Sequence, residues 1–355
     1  MRRYIIPSLK ESAQPHRTCP RCNTVTGRLH QKRSLAVSDT RIGSVTKLRM
    51  LCCSCHLTWT CQPEGLKAHF QRSQRIRALN ILLYALGLSF EAVATVMTSL
   101  GAAESDTSVY RDLVDSMLKV KDLRKGGRRK VRLAGIDATY QRLAQPHNPR
   151  HQSTIFVVDF SDGQVLEVEL IDESDASAVA ALIKDLEARY GIELWVSDEH
   201  SSYEQAIATD RHLLCTTHFK KNKLRRVNEL KKEAKSEKMK QDLQELEQLL
   251  KEVPEDGKQK AKQIYCRQGR VKRPAKGKKA SAASRLKQLA REIYEKWDRV
   301  WEQTNNATEA AIGLCLKIRS KLMRGFKDGE HIKGFAQMRG WMYSQGERIE
   351  LGCLL

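Results

Sequence analysis

The spacing of apolar positions changes several times along the chain, and each change marks an element. From Leu66 to Leu86 they recur at helical spacing, until Gly87-Leu-Ser89 interrupts. Ser89 caps a second helix, Phe90 to Leu100, with Ala92, Val93, Val96 and Met97 in helical register. After Gly101, Ser105 or Asp106 caps a third helix that includes Val109, Leu113, Val114 and Met117. From Val131 the pattern becomes that of strands: Val131 to Tyr140, Ser153 to Phe160, and, past the turn Ser161-Asp-Gly163, Val165 to Ile171. Ala176 to Tyr190 is an amphipathic helix, Ile192 to Val196 a buried fourth strand, Tyr203 to Ala208 a short helix and His212 to Cys215 a last strand. Helical spacing then returns with Leu224, Val227 and Leu230, and again with Leu243, Leu246 and Leu250, until Pro254-Glu-Asp-Gly257 ends it. Ala282 to Trp301 is a further long helix carrying Leu286, Leu289, Ile293, Trp297 and Trp301. A final helix starts near Asn306 and runs through Ile318 to Leu322.

Three antiparallel strands, a helix, a strand, a helix and a strand is the order of a ribonuclease-H-like α/β core. Here an all-α insertion interrupts it. The expected domains are a zinc ribbon (1–65), a helix-turn-helix (66–125), a catalytic core (131–218 and 304–345) and a basic helical insertion (219–303).

Charge sharpens this division. Over 355 residues, Lys and Arg outnumber Asp and Glu 63 to 42, a net +21. Residues 1–130 carry +14 and residues 218–290 another +14, while residues 131–217 carry −9. An excess of this size points to a polyanion, most often nucleic acid. The N-terminus lacks an apolar signal core, and the longest apolar stretch, Ile81 to Phe90, is far short of the roughly 20 residues of a membrane span. A cytosolic protein with no membrane partner is expected, and its ten cysteines then point to metal rather than disulfides.

Cys19-Pro-Arg-Cys22 and Cys52-Cys-Ser-Cys55 are two Cys-x-x-Cys turns. Each aims two thiolates at one ion, and together they complete the tetrahedral site that zinc prefers. Redox thiols are the alternative, and Cys53, Cys61 and His56 are rival ligands. Trp59 is placed to cover the site. Short helices with a tight turn and a polar start to the third fit a helix-turn-helix. Its DNA-reading candidates are Ser105, Thr107, Ser108, Tyr110 and Arg111. The basic run ending Arg128-Arg129-Lys130, and Lys272-Arg273 in the basic link from Arg267 to Lys279, are candidate phosphate contacts.

Asp137 lies mid-strand among apolar neighbours, where a lone carboxylate is costly unless a cation compensates it. A place on the solvated face of the sheet is the bland alternative. Asp198 follows Leu194-Trp-Val-Ser197 at the carboxyl end of the fourth strand; Asp159 and Glu199 are its rivals. Glu309 starts the last helix in Thr304-Asn-Asn-Ala-Thr-Glu309, where it either joins the aspartates or closes a capping box with Asn306. Three such carboxylates would hold two Mg²⁺ or Mn²⁺ ions about 4 Å apart, which activate a water or 3′-hydroxyl and stabilise the leaving oxygen in phosphodiester cleavage. Cys215-Thr-Thr-His218 after the last strand lacks two further ligands nearby, so packing or hydrogen bonding at the sheet edge fits it better than zinc.

With these residues assembled, the chain resembles bacterial insertion-sequence transposases of the DDE class. The likeness rests on the Cys-x-x-Cys-x-x-Thr-Trp end of the ribbon, Gly-Ile-Asp137-Ala-Thr, Val-Ser-Asp198, Ser202-Tyr203, Cys215-x-x-His218 and Thr-Asn-Asn-x-x-Glu309, followed by Lys317, Arg319 and Gly325-Phe326. The Cys-x-x-His motif and the helical insertion are similar to the Mutator-like group. The resemblance implies Mg²⁺-dependent cleavage and strand transfer at terminal inverted repeats by Asp137, Asp198 and Glu309. It implies structural zinc on Cys19, Cys22, Cys52 and Cys55, with Cys215 and His218 as a supporting motif. It also implies a homodimer or higher oligomer on double-stranded transposon-end and target DNA, in the bacterial cytoplasm at the nucleoid. In that family an insertion aromatic sometimes stacks on a displaced base; Trp297 or Trp301 is the candidate, against core packing. A domesticated or inactive transposase acting as a DNA-bound regulator, and another nuclease of the same fold, are the alternatives. No two of the ten histidines lie two residues apart, which excludes a His-x-His nuclease, and no phosphate-cradling Gly-x-x-x-x-Gly-Lys-Ser/Thr motif implies an ATPase step.

Overall fold

A computed structural model describes residues 2–125, 129–143, 151–269, 280–301, 304–323, 326 and 328–355. The chain is mixed α/β, as expected, and divides into two units: residues 1–127, 141–151 and 313–355, and residues 128–140 and 152–312.

The first unit begins with β1 (Arg3–Ile5) and an antiparallel sheet of β2 (Gly27–Ala36), β3 (Ser44–Cys52) and β4 (Thr58–Cys61). Alternation along β3 gives the sheet two faces. Leu48 and Met50 pack with Ala13 and Cys61, whereas Lys47 lies opposite Arg33 of β2, and Arg49 opposite Gln31 and Thr60.

The helix expected from Leu66 begins only at α1 (Gln74–Ala85). His69 takes a left-handed backbone conformation (φ 65°), and Ser73 caps the helix by accepting the Ile76 N–H. The next helix, α2 (Phe90–Ser99), is capped by Ser89, and Ser105 caps α3 (Asp106–Lys125) by accepting the Ser108 N–H. These three helices pack on one another, and a buried polar network fixes them. Arg77 meets Asp112 at 2.8 Å and Asp115 at 2.9 Å, while Asn80 donates to Glu104 and Asp112, both at 2.9 Å.

The second unit holds β5 (Leu133–Arg142), β6 (His151–Asp159), β7 (Val165–Glu169), α4 (Ala176–Tyr190), β8 (Leu194–Ser197), α5 (Ser201–Ala206) and β9 (His212–Cys215). Then follow α6 (Thr216–Glu233), α7 (Glu237–Glu252), α8 (Gly257–Arg267) and α9 (Ala282–Lys296), β10 (Val300–Trp301) and α10 (Asn306–Ile312). Strand order is β10-β9-β8-β5-β6-β7, with β6/β7 antiparallel and β5/β8, β8/β9 and β9/β10 parallel. The sixth strand, β10, was not expected, because two residues carry no readable alternation. Ala134 and Ile136 of β5 face a core with Val179, Ile183 and Leu186 of α4. Alternation therefore turns Gly135 and Asp137 to the opposite face. Helices α6, α7 and α9 share a core of their own, built on Val227, Leu230, Leu243, Leu246, Leu250, Leu286, Leu289 and Ile293.

Residues 313–345 do not group with the sheet as expected. The helix continues from α10 through a π-helical turn (Gly313–Lys317) into α11 (Ile318–Met323), and α12 (Gly329–Ser344) then packs on α3. Ser116 donates to the Met338 sulfur (3.3 Å), and Gly334 lies against Met117. The last strand, β11 (Arg348–Glu350), pairs in parallel with β1. Packing of both chain ends explains the difference: α12 buries Ile332, Phe335, Met338 and Met342 in the first unit. Among the described residues, no helix is long and apolar enough to cross a membrane.

Candidate functional site

The two Cys-x-x-Cys turns meet at the open end of the β2-β3-β4 sheet. The sulfurs of Cys19, Cys22, Cys52 and Cys55 all lie within 4.8 Å of one another, a group that could hold a metal ion. Four sulfurs about 2.3 Å from one zinc would stand about 3.8 Å apart, and Cys19–Cys55 and Cys22–Cys52 are each 3.6 Å here. The two turns repeat one backbone device. Asn23 and His56, each four residues after the first cysteine, are left-handed (φ 59° and 58°) and donate their N–H to the carbonyls of Cys19 and Cys52. His56 is thus a turn residue and not a ligand. Cys53 is exposed, and Cys61 is buried away from the group, its sulfur accepting the His16 N–H. The Thr26 hydroxyl, with the N–H groups of Cys55 and Ser54, pulls the Cys52 thiol down to about 5. Cys55 is pushed up to about 11: the Leu57 N–H opposes the shift, but burial and three neighbouring thiols prevail. Four thiols so close cannot all ionise without a cation among them. Trp59 covers Gly27, where a Cβ would stand 2.7 Å from its ring, and Gly27 pairs with Cys52.

Asp137 turns to the opposite side of β5 from the α4 core. Asp137 is half-buried on the central strand, and Asp198 follows β8, which pairs with β5. Burial, then the charge of Asp198, pushes the Asp137 carboxyl up to about 7. Asp198 accepts the His200 N–H at 3.0 Å.

Glu309 reaches this region because of what lies beneath α10. Gly135 leaves room for the first turn of that helix: a Cβ there would overlap Phe160 and Thr308 and stand 2.7 Å from Asn305 Oδ1. The Asn305 N–H donates to the Cys215 sulfur at 3.3 Å, which ties the start of α10 to the end of β9. Because α10 starts at Asn306, its cap position is Asn305 and Glu309 lies four residues on, one too far for a capping box; its carboxylate stands 3.7 Å from His218 instead. Contact with the Cys215 thiol, then the charges of Cys215, Asp137 and Glu309, raises His218 to about 9 against the effect of burial. The Cys-x-x-His pair thus brackets α10 against the sheet.

Both rivals are occupied elsewhere. Glu199, almost wholly buried, pairs with Lys223 of α6 (2.8 Å) and Lys296 of α9 (3.2 Å). Asp159 pairs with Arg129 at 2.6 Å and accepts the Ser161 N–H. Sequence reasoning missed Glu173, buried after β7, which accepts from Tyr140 at 3.1 Å and whose charge raises the buried Tyr203 phenol after burial itself has done so. Its only signal was the acidic run Asp172-Glu173-Ser174-Asp175. Among the described residues, the four cysteines are the one group of three or more ligand atoms drawn within 4.8 Å; Asp137, Asp198 and Glu309 are not so close.

Of the DNA-reading candidates, Thr107 and Arg111 are exposed on α3, and Ser105 and Ser108 are hydrogen-bonded to each other at 3.0 Å. Tyr110 stands edge-on to Phe90 and stacks on His331. Arg129 is held by Asp159, and Lys130 is exposed. Trp297 lies against Gly257 at the start of α8, which engages its ring with the core of α6, α7 and α9. Arg128, Lys272, Arg273 and the side chain of Trp301 lie outside the described residues.

A family model described as "Transposase, Mutator family" matches residues 60–271, more than half of the 355-residue chain. The match includes Asp137 and Asp198 and ends before Glu309. No curated protein matches the chain.

Proposed function

Because the chain belongs to the Mutator family of transposases, we propose that it cuts and joins DNA at the terminal inverted repeats of a bacterial insertion sequence, with Asp137, Asp198 and Glu309 as the catalytic carboxylates. The observation that carries this reading is the Asp137 site: a carboxyl raised to about 7 by burial and by Asp198, beside a helix that presents Glu309. All-oxygen donors of this kind suit Mg²⁺ or Mn²⁺. When bound, two such ions would activate the attacking oxygen and stabilise the leaving one. Asp137 stands midway along β5 and Asp198 just past the end of β8, Glu309 adds a third carboxylate, and the Cys215–His218 bracket holds its helix in place.

The strand order supports a ribonuclease-H-like core, and the four-sulfur group supports a structural zinc ribbon. We read α1 to α3 as a helix-turn-helix with Thr107 and Arg111 toward the major groove. The Lys47–Arg33 side of the zinc ribbon, where like charges sit directly opposite across strands, suits the phosphate backbone. A homodimer or higher oligomer, acting in the bacterial cytoplasm at the nucleoid, completes the reading. The test is Mn²⁺-dependent cleavage of DNA carrying the element's inverted repeats. Asp137→Asn, Asp198→Asn and Glu309→Gln should each abolish cleavage while leaving the band shift of end DNA intact. Cleavage by the triple variant at the wild-type rate would overturn the three carboxylates, and a band shift without any cleavage by the wild type would leave a DNA-bound regulator as the surviving reading.

A further inference from the structure

The first strand neighbour of β5 carries a buried polar chain that ends on Asp198. Ser197 closes β8 and His212 opens β9, and both are fully buried. Arg299, in the 3₁₀ turn (Trp297–Arg299) that follows the last helix of the insertion, donates through Nη2 to His212 Nδ1 at 2.6 Å and through Nε to the His212 carbonyl at 3.0 Å. A guanidinium only donates, so Nδ1 is the accepting nitrogen and the ring proton sits on Nε2. That proton points to Ser197 Oγ, 2.7 Å away. The hydroxyl, having accepted from the ring, donates its own proton to the carbonyl of Asp198 at 2.7 Å. Every link therefore runs in one direction.

We propose that Arg299, His212 and Ser197 form a positioning relay that fixes the backbone of Asp198, so that the end of the insertion sets the geometry of a metal-binding carboxylate. This rests on the reading of Asp198 as a metal ligand. A serine and a histidine buried at this depth are costly unless each is satisfied, and the half-buried Arg299 guanidinium completes the chain from its outer end. Here each satisfies the next, and the terminal acceptor is the peptide of Asp198 itself. The same residue's carboxylate is held from its other side by the His200 N–H, so the relay and this bond together restrain both main chain and side chain. Outer groups that orient a ligand typically change metal affinity by about 10–100-fold when removed.

The test is Mn²⁺ binding to the full chain, read as loss of the free-ion signal in electron paramagnetic resonance, alongside Mn²⁺ titrations of DNA cleavage. Ser197→Ala should weaken Mn²⁺ binding about tenfold, with cleavage recovering at saturating Mn²⁺. Ser197→Thr, which keeps the hydroxyl, should restore the affinity. Arg299→Gln should weaken binding in the same sense while leaving β8 unaltered, which keeps the idea testable if Ser197→Ala does not fold. A merely structural role would lower thermal stability and the cleavage rate without moving the Mn²⁺ midpoint, and that result would overturn the relay. If Asp198→Asn abolishes binding while Ser197→Ala and Arg299→Gln bind as wild type, only the relay fails. If Asp198→Asn itself binds as wild type, the ligand reading fails and the relay with it.

Discussion

Gly135 decides where Glu309 stands. Nothing in Val-Arg-Leu-Ala-Gly-Ile-Asp marks that glycine as special, yet the first turn of α10 rests on the space its missing side chain leaves. Gly135→Ala forces Thr308 and Asn305 away. Overpacking of this kind costs about 1–3 kcal/mol, and a shift near 1 Å at a reacting group can cost about 100-fold in rate. The expected outcome is a modest fall in Tm with a much larger fall in Mn²⁺-dependent cleavage; equal, small changes in both would show that Glu309 tolerates the displacement. Asp137 makes a second residue-level prediction. Its folded carboxyl titrates near 7 against 3.8 in the free side chain, so the folded state holds the proton more tightly than the unfolded chain. In metal-free protein, stability from this group is full below about pH 4 and is lost as pH rises toward 7. Asp137→Asn should therefore stabilise metal-free protein by on the order of 1–3 kcal/mol at pH 8, the gain vanishing near pH 4. Added Mn²⁺ should reverse the order by stabilising only the wild type. Thermal melts across pH, with and without Mn²⁺, check both signs.

At the scale of elements, α1 and α3 are joined by charge as much as by apolar contact. Asp112 is buried and receives Arg77, Asn80 and Arg72 together. Removing it breaks the buried pair with Arg77, which keeps only the exposed Asp115, a change that typically costs about 3–5 kcal/mol. Asp112→Ala should thus unfold the helical part of the first unit, seen as a lost or early transition in urea, whereas Arg111→Ala should leave stability unchanged and weaken end-DNA binding alone. This network was not legible in the sequence, because Arg72, Arg77, Asn80 and Asp112 belong to different periodic stretches and meet only in space. Elements with a strong pattern were legible: α4 and β9 fall on the residues expected, and the Cys-x-x-Cys spacing led directly to four converging sulfurs. Where burial is thin, the pattern fails. Only Gly257, Ala261 and Ile264 of α8 are buried, too few to read, and β10 is two residues long. Of the proposed acidic site, Asp137 and Asp198 stand out by their apolar flanks; Glu173, Gly135 and the Cys215 link to Asn305 depend on contacts across many residues of chain.

At the scale of the whole molecule, the two ends of the chain share one unit, which linear reading had divided between a DNA-binding head and a catalytic core. The consequence is energetic. Ile332, Phe335, Met338 and Met342 of α12 are fully buried in that unit. At about 1.5–3 kcal/mol each, they contribute roughly 6–12 kcal/mol, comparable to the 5–15 kcal/mol that is the entire stability of a typical domain. Ending the chain after Ile312 also removes the β11 partner of β1. The truncated protein should lose the unfolding transition of its first unit and its affinity for end DNA. The four-sulfur group should keep its capacity to bind zinc, because the sulfurs and their turns draw on residues 17–57 alone. The second unit's sheet and its helices α6 to α9 keep their separate cores, so its transition should persist near the wild-type temperature. Calorimetry on the full-length and truncated chains separates these outcomes. A first transition that survived truncation would mean that residues 1–127 fold without their C-terminal helix, and the shared unit would then be a contact rather than a fold.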